Sequence, residues 1–260
     1  MTLNVALSMC WRFLRKNSIL AFSLELCDFF LVSVVDMPKF LPGQLLDGRF
    51  EIVGDCGEGW FSYVHLGLDT LTGEKVAIKQ KREGRYSDMR AEYGKLVKLA
   101  PSKYSPTPIT YGDDSNGEQY FVTSFEGASL NATLAENFSK TCAMPTVMQL
   151  LFHGLLALRD IHAKDFNHGD VSLNNLVCPE DKEKGKLVLV DYGISRKYNK
   201  EGARRDIQDL FNSLRHRSTA DFDEVLQKFK DNEQMSIHEV IDMVQEKYRF
   251  DEQEPFEWEE

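Results

Sequence analysis

Two periodicities divide the chain. Between Gln44 and about Phe125, short runs rich in β-branched and aromatic residues alternate with turn formers: Phe50-Glu51-Ile52-Val53, Tyr63-Val64-His65-Leu66, Lys75-Val76-Ala77-Ile78-Lys79 and Gln119-Tyr120-Phe121-Val122-Thr123. Such runs predict strands. Thr72-Gly73 between the second and third, and Ser115-Asn116-Gly117 before the last, predict the tight turns of an antiparallel sheet. One helical segment interrupts the strands, roughly Ser87 to Leu99, where Met89, Tyr93, Leu96 and Val97 recur at three- and four-residue spacing.

After Gly127 the period changes. Met148, Leu151, Leu155, Leu156, Leu158 and Ile161 trace a long apolar face between Pro145 and Lys164, and a helix-rich half follows. The end, Phe250 to Glu260, is acidic with aromatic residues and predicts a solvated tail. The expected organisation is an α+β chain: an extension at 1–40, a β-rich lobe at 44–126, a helical lobe at 127–250 and an acidic tail at 251–260.

Residues 1–40 stand apart. Arg12, Arg15 and Lys16 precede an apolar stretch from Ile19 to Val35, the order of a signal-anchor. Yet Glu25 and Asp28 interrupt it, and its length falls short of the ~20 residues that span a bilayer. An amphipathic helix or an extension is the simpler reading of this segment, with membrane contact as the alternative. Met37-Pro38-Lys39 also makes a natural start just before the first strand pattern.

Composition narrows the field. The 260 residues are 42% hydrophobic and 28% charged, enough apolar content for a real core and against wholesale disorder. Acidic residues outnumber basic ones by 41 to 31, so the net charge of −10 gives no general reason to bind nucleic acid or anionic lipid. Cys10, Cys27, Cys56, Cys142 and Cys178 are scattered without a C-x-x-C pair, which indicates neither a zinc site nor a disulfide framework. Reduced thiols in an intracellular protein, cytoplasmic or nuclear, are the expectation.

Candidate chemistry begins at Gly57-Glu58-Gly59-Trp60-Phe61-Ser62-Tyr63-Val64, between two strand-like runs. Glycines here let backbone N–H groups approach phosphate oxygens without a Cβ in the way, although alone they read equally well as a hairpin turn. Fifteen residues beyond Val64 stands Lys79, at the end of a strand, able to meet the same phosphates. In order and spacing the pair resembles the glycine-rich loop and strand lysine of protein kinases. Glu92 on the following helix is then the expected partner of Lys79. Further on, His168-Gly169-Asp170-Val171-Ser172-Leu173-Asn174-Asn175 resembles the kinase catalytic loop, and Asp191-Tyr192-Gly193, after the buried run Leu187 to Val190, resembles the kinase D-F-G.

This resemblance, over roughly Gln44 to Phe250, implies a bilobal kinase-like fold: a small antiparallel sheet with one helix, and a shortened helical second lobe. It implies ATP and Mg2+ as cofactors. Asp170 would orient the attacking hydroxyl, with Lys79 and Glu92 also catalytic, and Asn175 and Asp191 would hold the metal. Gly57, Glu58, Gly59, Trp60, Phe61, Ser62 and Lys79 would cover the phosphates. Val64 and Ala77 would cover the adenine, Thr123 would stand behind it, and the backbone of Ser124, Phe125 and Glu126 would bond its edge. His168 would buttress the loop and Asp206 would brace it.

Tyr192 and the run Ser124 to Leu130 are similar to the casein-kinase-one and vaccinia-related-kinase group. Three departures matter. Gly169 replaces the arginine that clamps a phosphorylated loop, so activity independent of phosphorylation at Ser195 or Tyr198 is expected. Ser172 stands where a lysine usually steadies the γ-phosphate, with Arg196 or Lys197 as candidate substitutes. No A-P-E motif precedes Arg204-Arg205-Asp206, so the peptide-binding ledge is short, as in the small kinase of the KEOPS complex, while aminoglycoside phosphotransferases share His-Gly-Asp. Three readings stay open: a slow serine/threonine kinase acting on a protein, a nucleotide-binding pseudokinase, and a small-molecule or atypical kinase.

Overall fold

Strand alternation and turn chemistry produce the expected antiparallel sheet. The computed structural model describes residues 40–59, 61–82, 88–138, 142–215 and 220–259. Trp60, Ser87 and residues 1–39, with the expected extension, membrane contact and start at Met37, lie outside the described residues.

Strands β1 (Leu45–Leu46), β2 (Phe50–Glu58), β3 (Ser62–Asp69), β4 (Lys75–Lys81), β5 (Pro108–Asp113) and β6 (Gln119–Ser124) form one sheet in the order β1-β2-β3-β4-β6-β5. All neighbours run antiparallel. Strand β5 has no counterpart among the expected runs. It opens on Pro108, which has no N–H to give a ladder, and it is tolerated because β5 lies at the sheet edge.

Register decides which residues face the second lobe. Val64 lies opposite Lys79, Leu66 opposite Ala77, Ala77 opposite Thr123 and Lys79 opposite Phe121. Residues directly opposite share a face, so Val64, Ala77, Lys79 and Thr123 line one side. The other side buries Phe40, Leu46, Phe50, Ile52, Val76, Ile78, Tyr120 and Val122 in a separate small core.

Helix α1 (Met89–Leu99) crosses the sheet edge, its first turn capped by the Asp88 carboxylate accepting from the Ala91 amide. Its buried face is Met89, Glu92, Leu96 and Leu99, while Val97, expected inward, is half-exposed. The helix is rotated so that a carboxylate takes an inward position, which only a buried partner makes tolerable.

The second lobe is built on α3 (Met144–Ala163). Pro145 sits in its first turn, where a missing N–H costs nothing. Apolar residues are buried nearly all round it, from Val147 to Ile161, so the face read as amphipathic belongs to a central helix. Around it pack α4 (Lys200–Arg215), α5 (Ala220–Asp231) and α6 (Ile237–Tyr248). Helix α2 (Leu130–Asn137) follows β7 (Gly127–Ser129), which joins β9 (Leu176–Pro179) and β10 (Val188–Leu189) in a three-stranded sheet. β8 (Phe166–Asn167) pairs with β11 (Arg196–Lys197). The architecture is thus the expected bilobal α+β fold with a small helical lobe.

The acidic tail keeps its carboxylates exposed, as expected, but it is docked through an aromatic side chain, which the expectation of a purely solvated segment missed. Phe256 is fully buried and stacks on Trp258 at 4.6 Å, while Gln149 Nε2 donates to the carbonyls of Glu254 and Pro255. Lys103 and Lys186 pair with Glu252 and Glu259 at 3.0 and 2.8 Å. Burial of Phe256 anchors the segment while its carboxylates stay at the surface, two of them paired with lysines. Among the described residues no helix is long and apolar enough to cross a membrane.

Candidate active site

A strand lysine is the centre of the site. β4 carries Lys79 inward, where its Nζ donates to Glu92 Oε1 at 2.7 Å and to Asp191 Oδ1 at 2.9 Å. Glu92 comes from α1 and Asp191 from the turn after β10, so one ammonium joins the sheet, the helix and the second lobe. The pair Lys79–Glu92 is buried; Asp191 is half-exposed. Burial works against the Lys79 ammonium, but Glu92 and Asp191 together outweigh it and hold its pKa above the usual lysine value. Burial pushes Glu92 upward by more than Lys79 pulls it down. Asp191 is also penalised by burial, yet Lys79 and the Gly193 amide leave it below the usual carboxylate range.

The loop between β8 and β9 carries the second cluster. Asn175 Nδ2 donates to Asp170 Oδ2 and to the Asp170 carbonyl, both at 2.9 Å, which fixes the exposed Asp170 carboxylate. His168 is wholly buried beneath it. The Asp170 N–H donates to His168 Nδ1, so Nε2 carries the proton and donates to the Val190 carbonyl. Burial keeps this imidazole neutral by lowering its pKa. Asp206, on α4 and fully buried, accepts from the amides of His168 and Gly169 at 2.8 Å and from His162 Nε2 at 2.8 Å. Gly169 has φ +82°, a backbone state that disfavours the arginine it replaces.

Behind the adenine-facing candidates, the chain crosses between lobes at Thr123 to Gly127. Ser124 and Thr107 bond reciprocally: Thr107 N–H donates to Ser124 Oγ at 2.7 Å and Ser124 N–H to the Thr107 carbonyl at 2.9 Å. The Glu126 side chain turns away into the protein, accepting from Ser124 Oγ at 2.5 Å and facing Lys184 Nζ at 3.3 Å. Phe125 lies beneath Lys75, 5.8 Å from its Nζ.

The glycine segment spans the β2–β3 turn. The Gly59 N–H donates to the Ser62 carbonyl at 2.8 Å, and Gly57 pairs with Val64. Phe61 is exposed and Ser62 buried. Only the backbone of Glu58 is described, as a strand residue; Trp60 lies outside the described residues.

The candidate substitutes for the lysine lie on the strand that follows the Asp191 turn. Arg196 and Lys197 sit on β11 opposite Asn167 and Phe166, and Lys197 faces Asp165 at 3.9 Å. Sequence reasoning also missed Lys95 of α1, whose Nζ donates to the carbonyls of Tyr192 and Gly193 at 2.9 and 3.2 Å. Its only signal is a cation three residues after Glu92 on a helix, too common to single out. Among the described residues no three His, Cys, Asp or Glu side chains gather to hold a metal unaided.

Residues 50–221, about two thirds of the chain, match the protein kinase domain. A probable serine/threonine-protein kinase of Dictyostelium discoideum is 26% identical over 161 residues, covering 61% of this chain and 32% of that protein. The serine/threonine-protein kinase ppk5 of Schizosaccharomyces pombe is 28% identical over 169 residues, covering 63% of this chain and 20% of ppk5. The chain therefore spans a third or less of each of these relatives. With the matched span enclosing Lys79, Glu92, Asp170, Asn175 and Asp191 on a bilobal fold, the chain belongs to the protein kinase domain family.

Proposed function

We propose that the chain is a serine/threonine protein kinase that transfers the γ-phosphoryl group of magnesium-ATP to a protein hydroxyl. The observation that carries this reading is the Lys79 ammonium shared between Glu92 and Asp191, which joins a phosphate-facing cation to a metal-binding carboxylate. Protein kinase domains generally use ATP and a divalent metal.

The residues fit both. Asp191 and Asn175 offer oxygen donors suited to Mg2+, and two protein ligands suffice where phosphate oxygens complete the shell. A Cβ built on Gly57 meets nothing within 4 Å, so packing does not require glycine there, and a close-approaching phosphate supplies a reason. Val64 and Ala77 share a face with Lys79, suited to an adenine ring, and Thr123 is buried beside them. A bound metal supplies charge neutralisation for phosphoryl transfer. Lys79 neutralises phosphate oxygens, Asp170 orients the acceptor hydroxyl and takes its proton, and Asn175 holds Asp170 in place.

Ser172 favours a second reading, a nucleotide-binding pseudokinase. Its carbonyl accepts from the amides of Asn175 and Leu176, and its own side chain brings no cation where a lysine is expected. The lost donor predicts turnover slower by about ten- to a thousandfold. The short path from Gly193 to α4 supports a compact acceptor and leaves a small-molecule kinase as the third reading. Tyr192 and the run Ser124 to Leu130 support kinship with the casein-kinase-one and vaccinia-related-kinase group. The unbridged thiols of Cys56 and Cys178 suit an intracellular protein.

Incubation with γ-labelled ATP, magnesium and a protein panel tests this. Label transfer by wild type that disappears in Asp170→Ala supports the kinase. Nucleotide binding without transfer in either protein establishes the pseudokinase reading instead.

A further inference from the structure

The turn after β10 is short and tied to its surroundings by several hydrogen bonds. Asp191 has φ +64°, a left-handed conformation that aspartate adopts more readily than most non-glycine residues. The Tyr192 carbonyl accepts from Lys95 Nζ at 2.9 Å, from Ser195 Oγ at 2.9 Å and from the Ser195 amide at 3.2 Å. The Gly193 carbonyl accepts from Lys95 at 3.2 Å. Only Ile194 and Ser195 intervene before β11, so the segment passes almost directly into a strand paired with β8.

We infer that Lys95 is a positioning residue that locks the Asp191 turn to α1 and keeps the site assembled without loop phosphorylation, a role that presupposes the kinase reading above. The bonds form a closed circuit: α1 through Glu92 to Lys79, Lys79 to Asp191, and the turn back through Lys95 to α1. Moving α1 outward breaks both ends of that circuit at once. A lysine is suited to the post because its ammonium reaches two carbonyls, and charged donors make stronger bonds than neutral ones. Half-burial lowers its pKa, while the charges of Glu92, Asp88 and Asp191 favour the ammonium and that of Lys79 opposes it. Ser195 is buried and already donates to the turn, so its hydroxyl serves the same lock.

The test compares wild type, Lys95→Met and Lys95→Arg. Amide hydrogen exchange across residues 188–196, without nucleotide, reads the lock itself through the Gly193 and Ser195 amides. The magnesium concentration for half-maximal ATP turnover reads its consequence. In Lys95→Met, exchange accelerates about ten- to a hundredfold, the factor carried by one or two hydrogen bonds to a charged group, and the magnesium requirement rises. The arginine variant restores both, and the Lys95→Met thermal midpoint falls by no more than the few degrees that the same fold-change implies. Unchanged exchange in Lys95→Met, or Lys95→Arg as defective as Lys95→Met, overturns the assignment. If Lys95→Met does not fold, Lys95→Gln is read by the same criteria. Wild-type protein that turns over no ATP sinks the kinase reading alone, and exchange then decides the lock.

Discussion

Replacing Lys79 with methionine removes the cation while nearly conserving volume, and the structure sets the cost. Glu92, whose side chain is 4% exposed, loses a partner 2.7 Å away and keeps Asp191 as a repelling neighbour. Leaving a buried charge unpaired costs about 3–5 kcal/mol. Glu92 can limit that cost by taking up a proton, so its pKa in the variant rises further above the carboxylate range. The native state then binds more protons than the unfolded chain, and stability falls as pH rises, by about 1.4 kcal/mol per unit between the two pKa values. Urea unfolding of wild type, Lys79→Met and Lys79→Met/Glu92→Gln at pH about 5.5, 7 and 8.5 measures this. The single variant should weaken steeply toward alkaline pH, and the double variant should lose that slope. A Lys79→Met profile parallel to wild type, or a double variant with the same slope as the single one, refutes the reasoning.

His153 is buried against Phe152 and Phe256, and burial, with Lys186 nearby, pushes its pKa down to about 4. The unfolded chain binds its proton first, so stability is lost as pH falls from about 6.5 toward 4, by up to about 3 kcal/mol. His153→Leu should flatten that limb in acid titrations followed by circular dichroism. Phe256→Ala should cost about 3–5 kcal/mol, read as a lower urea midpoint, because it empties a filled site under the C-terminal segment. Gly127 has φ +120°, and an added Cβ would lie 2.6 Å from the Cys178 carbonyl, so Gly127→Ala should cost about 1–3 kcal/mol and weaken ATP binding in calorimetry.

Much of the fold is legible because its signals are local. Period-two runs around Ile52, Val64 and Ile78, turns at Thr72-Gly73 and Asn116-Gly117, and Pro145 at a helix start each act over a few residues. The buried run ending at Val190 likewise foretells the strand before Asp191. What escapes depends on partners distant in sequence. Pro108 disguises an edge strand, and the acidic composition near Phe256 hides an aromatic anchor whose binding surface lies about a hundred residues earlier, around Gln149 and His153. Val97, expected inward, is exposed because the helix turns Glu92 to Lys79, a demand no periodicity records. Within the site, residue types and spacing pick out Lys79, Glu92, Asp170, Asn175 and Asp191, which motif order alone suffices to nominate. Lys95, Lys184 and His162 act through contacts to backbone or side chains far along the chain, and no short pattern marks them.

The central claim is that one ammonium and the metal-binding side chains serve a single nucleotide. Calorimetric titration of ATP into wild type and Asp191→Ala, each with and without magnesium, tests it most directly. Binding that magnesium strengthens in wild type and leaves unchanged in Asp191→Ala is the predicted result. ATP binding equally tight with and without the metal in wild type, or no binding at all, contradicts it.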